Sequence, residues 1–200
     1  LNFFSKFFKK PKSKEHPKNS DSKFLPKKKA VIEERFILKF IENGGKFLYC
    51  ENLDEVKESF NMILEENEWT YEDILIIDSK LKKIFNLTFP SSSSLSETKC
   101  FVTNCENLIA SDGSILISSN QLHTKKLNEF PKNIIILTDT RKLKNTISEG
   151  LSEIKSKNKK IPNNISTIKN FDSLKEDKDF LSYGTSSKNL YLILLEKGFI

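Results

Sequence analysis

Two carboxylates lie close in sequence to a glycine-containing turn in the middle of the chain, one before the turn and one within it. Glu106 and Asp112 are side chains that can act as a general base or as a nucleophile. The run Ser111-Asp112-Gly113-Ser114 predicts a tight hairpin turn in which Gly113 supplies the positive φ. Spacing across a hairpin does not fix the distance between the two carboxylates. A catalytic pair and a plain structural turn therefore both stay open.

A second polar loop lies just before the last apolar run. It contains Gly184, Thr185, Ser186, Ser187 and Lys188. Backbone N–H groups, hydroxyls and one ammonium suit a phosphate or a carboxylate. The chain has no G-x-x-x-x-G-K-[ST] run, so the loop is not a P-loop. The alternatives are an anion site, which Asp112, Gly113 and Ser114 would share, and an ordinary turn.

Metal and thiol chemistry have little support. Cys50, Cys100 and Cys105 form no C-x-x-C pair, and His16 and His123 stand alone. The sequence therefore predicts three packed, reduced thiols, no metal site, and no iron–sulfur cluster of its own. It also contains no recognisable Ser/His/Asp or Cys/His set.

The elements that must position these residues alternate between helix and strand from residue 30 onward. Ile74–Ile77 is apolar at consecutive positions, which is typical of a parallel strand covered on both faces. The sequence predicts an α/β fold of three layers, with a mostly parallel sheet and helices on both faces. It also predicts a helix that is capped by Asn52, a long helix that is capped by Asp139, and a strand near residues 165–168 that belongs to the same sheet. The expected buried stripes of the helices are Val31, Ile32, Phe36, Phe40 and Ile41, then Leu53, Val56, Phe60, Ile63 and Leu64, then Leu143, Ile147, Leu151 and Ile154.

Charge divides the chain into two parts. Residues 1–29 hold ten lysines against two acids, which gives +8, and the remaining 23 basic and 25 acidic residues give −2. We therefore expect a basic flexible tail, residues 1–29, and one α/β domain, residues 30–200. A nucleic-acid-binding domain carries a basic face, so nucleic acid is not an expected partner of this domain.

The first ten residues are amphipathic. Phe3, Phe4, Phe7 and Phe8 follow helical spacing, with three lysines off that stripe. Such a segment can make weak contact with an anionic membrane surface, and a frayed terminus is the alternative. No stretch is long and apolar enough to span a bilayer, and no signal peptide is visible, so the sequence predicts a cytoplasmic protein.

The order of the motifs resembles a known family. The stretch Thr103–Ile115 is similar to the signature hairpin of the LUD domain, found in lactate utilization protein C. Phe130–Ile136 resembles the proline-led strand of that family, and Gly184–Ser187 resembles its C-terminal glycine–serine loop. The resemblance implies the fold that ribose-5-phosphate isomerase, CoA transferases and formyltetrahydrofolate cyclo-ligases share. It also implies a role in lactate oxidation beside iron–sulfur oxidoreductase subunits.

Some residues depart from the family pattern. Glu106 stands where the family has an acid, but the acid of the turn is displaced by one position, at Asp112. A shift of one residue changes the face of a strand. Because the chain lacks a ferredoxin-type cysteine run, any cluster would belong to a partner.

Three functional hypotheses follow. The first is an accessory or small-anion-binding subunit of a lactate-utilization-type oxidation system. The second is a stand-alone isomerase, transferase or cyclo-ligase with Glu106 or Asp112 as base or nucleophile and Lys188 stabilising negative charge. The third is a tail-tethered interaction protein without ligand chemistry.

Overall fold

The computed structural model describes residues 31–86, 98–157, 160–168 and 189–196. Residues 1–29 and the loop Gly184–Lys188 lie outside the described residues. The helices are α1 (Ile32–Glu42), α2 (Leu53–Glu66), α3 (Ser79–Ile84), α4 (Ser119–Leu122) and α5 (Ile147–Lys157). The strands are β1 (Lys46–Cys50), β2 (Ile74–Ile76), β3 (Cys100–Thr103), β4 (Asn107–Ile109), β5 (Ser114–Ile117), β6 (Asn133–Asp139), β7 (Leu143–Lys144), β8 (Ser166–Ile168) and β9 (Asn189–Leu195).

A parallel sheet of five strands forms the centre of the described fold. Its strand order is β1-β9-β6-β3-β2, and every pairing in it is parallel. The central strands β6 and β9 are apolar on both faces, because each face is covered by a separate core cluster. The expectation of an α/β fold with a largely parallel sheet is confirmed.

Helices α2 and α3 cover one face of this sheet. Phe60, Ile63 and Leu81 pack there against strand residues such as Tyr191 and Ile193. Helix α2 begins where predicted, since the side chain of Asn52 accepts hydrogen bonds from the N–H groups of residues 54 and 55. An N-cap of this kind satisfies backbone donors that have no partner inside the helix.

The other face carries α1 and a second sheet. This small sheet has the order β7-β4-β5-β8, and its inner side chains share a core with Phe36 and Phe40 of α1. Its outer side, with Ile109 and Leu116, packs under Ile154 of α5. The sequence predicted the β4–β5 hairpin but assigned the strand near residue 165 to the main sheet. That assignment was wrong, because β8 pairs antiparallel with β5.

The predicted long helix after Asp139 was also wrong. Asp139 caps a single 3₁₀ turn, Thr140–Lys142, which is followed by the short strand β7. Leu143 lies in that strand, where it pairs with Leu108 of β4. The helix itself begins at Ile147. Tertiary pairing with β4 therefore outweighs the apolar spacing that suggested one continuous helix.

The buried stripes of α1 and α2 differ slightly from those predicted. Ile37 is buried on α1, whereas Val31 and Ile41 are about half exposed. Leu53, the first residue of α2, is also exposed. These three residues lie at helix ends or at the margin of the apolar face, where neighbouring elements do not reach. Among the described residues, no helix is long and apolar enough to cross a membrane.

The three cysteines are free thiols buried in the core. Burial raises the pKa of each of them, and for Cys105 the pKa rises to about 12. Thiols in this state behave as small apolar side chains.

Candidate functional site

Polar residues gather at the carboxyl ends of the parallel strands. Asp78 follows β2, Asn104 follows β3, Asp139 ends β6 and Glu196 follows β9. Ligands of open α/β sheets bind in the crevice outside the carboxyl ends of the strands. We therefore take this edge as the candidate site.

Glu106 is fixed at this edge by two hydrogen bonds. Its Oε1 accepts one from the Ser118 hydroxyl at 2.6 Å and one from the Asn120 side-chain amide at 2.8 Å. Ser118 is fully buried, whereas Glu106 is only half-buried. Among the described residues, Glu106 Oε2 has no hydrogen-bond partner, so it is available to accept a hydrogen bond from a ligand.

A chain of side-chain hydrogen bonds extends from Glu106 to the end of β2. The Gln121 carbonyl accepts from the Ser118 N–H at 2.9 Å, and the Gln121 amide donates to Asn104 Oδ1 at 2.9 Å. Asn104 in turn donates to Asp78 Oδ2 at 2.9 Å. We call this set of linked residues the carboxyl-edge network. It consists of Asp78, Asn104, Glu106, Ser118, Asn120 and Gln121. It pre-organises Glu106, because each side chain is held by the next.

A small cleft of about 20 Å³ opens beside Glu106. We call it the Lys142 cleft, and it is lined by Glu106, Asn107, Lys142, Glu153, Ile154 and Lys157. Within the described ranges no ion pair engages Lys142, whereas Glu153 pairs with both Lys144 and Lys157. Lys142 is therefore the cation of this cleft whose charge is not neutralised by a described neighbour.

Glu153 is anchored from several sides. Burial alone would raise its pKa, but hydrogen bonds from Lys157, Asn107 and Lys144 outweigh burial and hold the pKa below its usual range. Asn107 is buried, and its Oδ1 accepts no hydrogen bond from the described residues. Glu153 is thus an anion at neutral pH, and its charge is already compensated by Lys144 and Lys157.

The opposite part of the edge is acidic. Burial and the neighbouring charge of Glu196 raise the pKa of Tyr49, and Glu51 and Glu55 act in the same direction. The guanidinium of Arg141 is bound to the buried carboxylate of Asp139. An anion is therefore repelled from the β1–β9 end of the edge and is favoured near Lys142.

The predicted turn forms, but it lies away from this edge. Asp112 Oδ1 accepts from the Ser114 N–H at 3.1 Å and from the Ser114 hydroxyl at 2.7 Å, which is an Asx turn. Gly113 has a φ of +72° and lies against α1, where an added Cβ would be 2.4 Å from the carbonyl carbon of Lys39. The Asn43 side chain donates to the Asp112 carbonyl at 2.8 Å.

The hairpin keeps the two predicted carboxylates apart. Glu106 precedes β4, whereas Asp112 lies in the turn at the far end of that strand. Roughly four residues of extended chain separate the two ends, which is about 13 Å. The structure thus places Glu106 at the sheet edge and Asp112, Gly113 and Ser114 against α1.

Sequence reasoning missed Asn104, Ser118, Asn120, Gln121 and Lys142. One local signal was present, because Ser118-x-x-Gln121 is a capping-box pattern, and both capping-box hydrogen bonds form at α4. The link from that cap to Glu106 joins a residue that follows β5 to one that precedes β4, so no spacing rule reveals it.

Comparisons with known proteins bear on the fold. No family model matches the chain, and no curated protein matches it in sequence. One solved structure, a DUF162 family protein from Deinococcus radiodurans, matches with a TM-score of 0.59 and 12% identity, covering 82% of this chain and 96% of that chain. DUF162 is the LUD-domain family. At this identity the likeness shows the fold alone.

Proposed function

We propose that this chain is a LUD-type protein that binds a small hydroxy-acid anion, as an accessory subunit of a lactate-utilization-type oxidation system. Any iron–sulfur cluster of that system belongs to a partner oxidoreductase subunit. The likeness of fold and the hairpin residues Thr103–Ile115 support the family, and the chemistry of the sheet edge supports the ligand.

One observation carries the ligand assignment. A fixed carboxylate with an open oxygen, on Glu106, and a cation without a described partner, Lys142, line the same small cleft. A 2-hydroxy acid carries both matching groups on adjacent carbons. Its carboxylate would pair with the Lys142 ammonium, and its hydroxyl would donate to Glu106 Oε2.

The size of the cleft limits the ligand. Its volume of about 20 Å³ holds little more than one water-sized group and is far below the roughly 300–1,000 Å³ that is usual for drug-sized ligands. A compound of a few heavy atoms at the mouth of the cleft is therefore favoured over a nucleotide or a CoA ester.

Calorimetric titration tests the ligand class. We expect lactate to bind more tightly than propionate, which lacks the hydroxyl. Lys142→Ala should weaken binding of both acids about tenfold, since a hydrogen bond to a charged group contributes roughly 1.5–3 kcal/mol. Lys132→Ala, which removes an exposed lysine at the opposite edge of the sheet, is the matched control and should leave affinity unchanged.

Glu106→Gln separates the two contacts. It should weaken lactate binding, because the amide must turn its NH2 group either toward the two donors that Oε1 now accepts from or toward the lactate hydroxyl. It should leave propionate binding equal or stronger, since a negative charge is removed from the site. Equal losses for both acids would contradict the hydroxyl contact.

The partner is tested separately, by anaerobic co-purification of the tagged chain with mass spectrometry and an iron assay. Recovery of an iron–sulfur oxidoreductase supports the accessory role. Recovery of the chain alone, without iron, overturns that role and leaves the binding assignment to the titrations.

The open oxygen of Glu106 also favours a second candidate, an isomerase-, transferase- or cyclo-ligase-type enzyme with Glu106 as general base. Asp112 is less suited to this role, because its Oδ1 already accepts two hydrogen bonds within its own turn. Turnover of a phosphorylated sugar, CoA ester or folate that Glu106→Gln abolishes would favour this enzyme over the accessory subunit.

A further inference from the structure

An aromatic groove lies at the far side of the molecule from the carboxyl edge. We call it the α2 groove, and it is lined by Asn61, Leu64, Glu65, Trp69, Thr70 and Tyr71, with a volume of about 400 Å³. Tyr71 is 45% exposed, and Met62 on the adjoining turn of α2 is 63% exposed. Flat aromatic rings beside an exposed methionine form an adaptable apolar surface.

The rim of the α2 groove is acidic. Glu58 and Glu65 lie on the same side of α2 as Met62, because residues three and four apart share a helix face. Glu68 and Glu72 lie on the chain segment that forms the opposite wall. Among the described residues, none of these four carboxylates takes part in an ion pair. The groove therefore favours an occupant that is both aromatic and cationic.

We propose that the α2 groove is the docking site of the chain's own N-terminal segment, residues 1–10. That segment presents Phe3, Phe4, Phe7 and Phe8 together with Lys6, Lys9 and Lys10. The phenylalanines match the rings of Trp69 and Tyr71, and the lysines match the glutamates of the rim. The basic aromatic segment and the acidic aromatic groove thus complement each other in both charge and apolar character.

The connecting chain is long enough. Twenty residues, 11–30, separate the segment from Val31, and α1 and the α2 groove lie on opposite faces of the sheet. The path across one sheet and two helix layers is on the order of 30 Å. An unstructured chain of twenty residues has a root-mean-square span of roughly 25 Å and a limit of about 70 Å. A linker of that length gives an effective concentration near the millimolar range, so a weak contact suffices for docking.

Trp69 reports on the docking, because it is the only tryptophan in the chain. The experiment measures acrylamide quenching of its fluorescence in the full-length protein. Replacement of Phe3, Phe4, Phe7 and Phe8 by alanine should raise the quenching constant about twofold, as the tail leaves the groove. A variant with Asn2 and Ser5 replaced by alanine is the matched control and should match the wild type.

Charge reversal on the folded domain completes the test. Glu65→Lys should reproduce part of the increase in the quenching constant. Glu34→Lys, which changes α1 on the other face of the sheet, should leave the quenching constant unchanged. Salt at 1 M should also raise the quenching constant, because the electrostatic screening length falls to about 3 Å.

Three results would overturn the proposal. Quenching that the phenylalanine replacements leave unchanged means that the tail does not cover Trp69. A difference that depends on protein concentration means that the tail binds a second copy. If the protein binds anionic vesicles through residues 1–10, and the phenylalanine replacements do not change Trp69 quenching when no vesicles are present, the segment binds a lipid surface instead.

Discussion

Gly113 provides the sharpest test of where the hairpin turn lies. An alanine there must adopt a φ of +72°, and its Cβ would be 2.4 Å from the carbonyl carbon of Lys39 and 2.5 Å from the nitrogen of Phe40. Both of these atoms belong to the backbone of α1. They cannot move without displacing a helix whose Phe36 and Phe40 are fully buried.

The cost can be estimated from two contributions. A left-handed backbone costs a residue with a Cβ about 1–2 kcal/mol, and overpacking against an unyielding neighbour costs about 1–3 kcal/mol. We therefore expect Gly113→Ala to lower the free energy of unfolding by about 2–5 kcal/mol. With a slope near 2 kcal/mol per molar urea, the unfolding midpoint would fall by about 1–2.5 M.

Gly150→Ala is the matched control. Its Cβ would meet the Leu116 Cδ1 methyl at 2.8 Å, which is the end of a side chain that can rotate. The helix propensity of alanine gains about 1 kcal/mol over glycine, so the net change should lie within about 1 kcal/mol of zero. Urea unfolding followed by Trp69 fluorescence measures both variants. A Gly113→Ala midpoint equal to that of the wild type would refute the close packing of the turn against α1.

Three further predictions follow from the site and the core. Asp112→Ala should destabilise the fold by about 1–2 kcal/mol through loss of the Asx turn. The same change should leave lactate affinity unchanged. A tenfold loss of affinity would mean that Asp112 does contribute to the ligand site. Contacts with Lys157, Asn107 and Lys144 hold the pKa of Glu153 low. The ionised Glu153 carboxylate therefore stabilises the fold above the ordinary glutamate pKa, and this stabilisation is lost as the pH falls through the lowered pKa. The difference in urea midpoint between wild type and Glu153→Gln should therefore be largest at pH 7 and shrink below pH 4, and a constant difference would contradict this charge effect. Burial raises the pKa of Cys105 to about 12, so at pH 8 only about one thiol in ten thousand is ionised; Ellman's reagent should leave the native thiols unmodified and react with them after unfolding, and rapid native labelling would show that the core opens.

Local patterns predicted parts of both sheets. The consecutive apolar residues of β2 indicated a strand buried on both faces, and Asp112-Gly113 indicated the hairpin. Both features depend on chain neighbours alone, since periodicity and turn geometry act over a few residues. The N-cap at Asn52, which begins α2, likewise depends only on residues that are close in the chain.

The errors share a different cause. Leu143 has the right spacing for a helix face, but β4 offers it a strand partner. Strand β8 joins the small sheet because β5 has an unpaired edge there. Competition between partners distant in the chain decided these cases, and sequence spacing carries no information about such partners.

The sequence by itself determined the α/β class, the hairpin, the three unpaired cysteines and the contrast in charge between the basic residues 1–29 and the slightly acidic remainder. Composition and short-range periodicity are enough for each of these. Only the tertiary structure decided that Glu106 belongs with Ser118, Asn120 and Lys142, whereas Asp112 belongs with α1. Six residues of sequence separate the two carboxylates, but an extended strand carries them to opposite ends of the hairpin, where different elements surround them. The function of each acid depends on that surrounding, which the fold assembles from segments far apart in the chain.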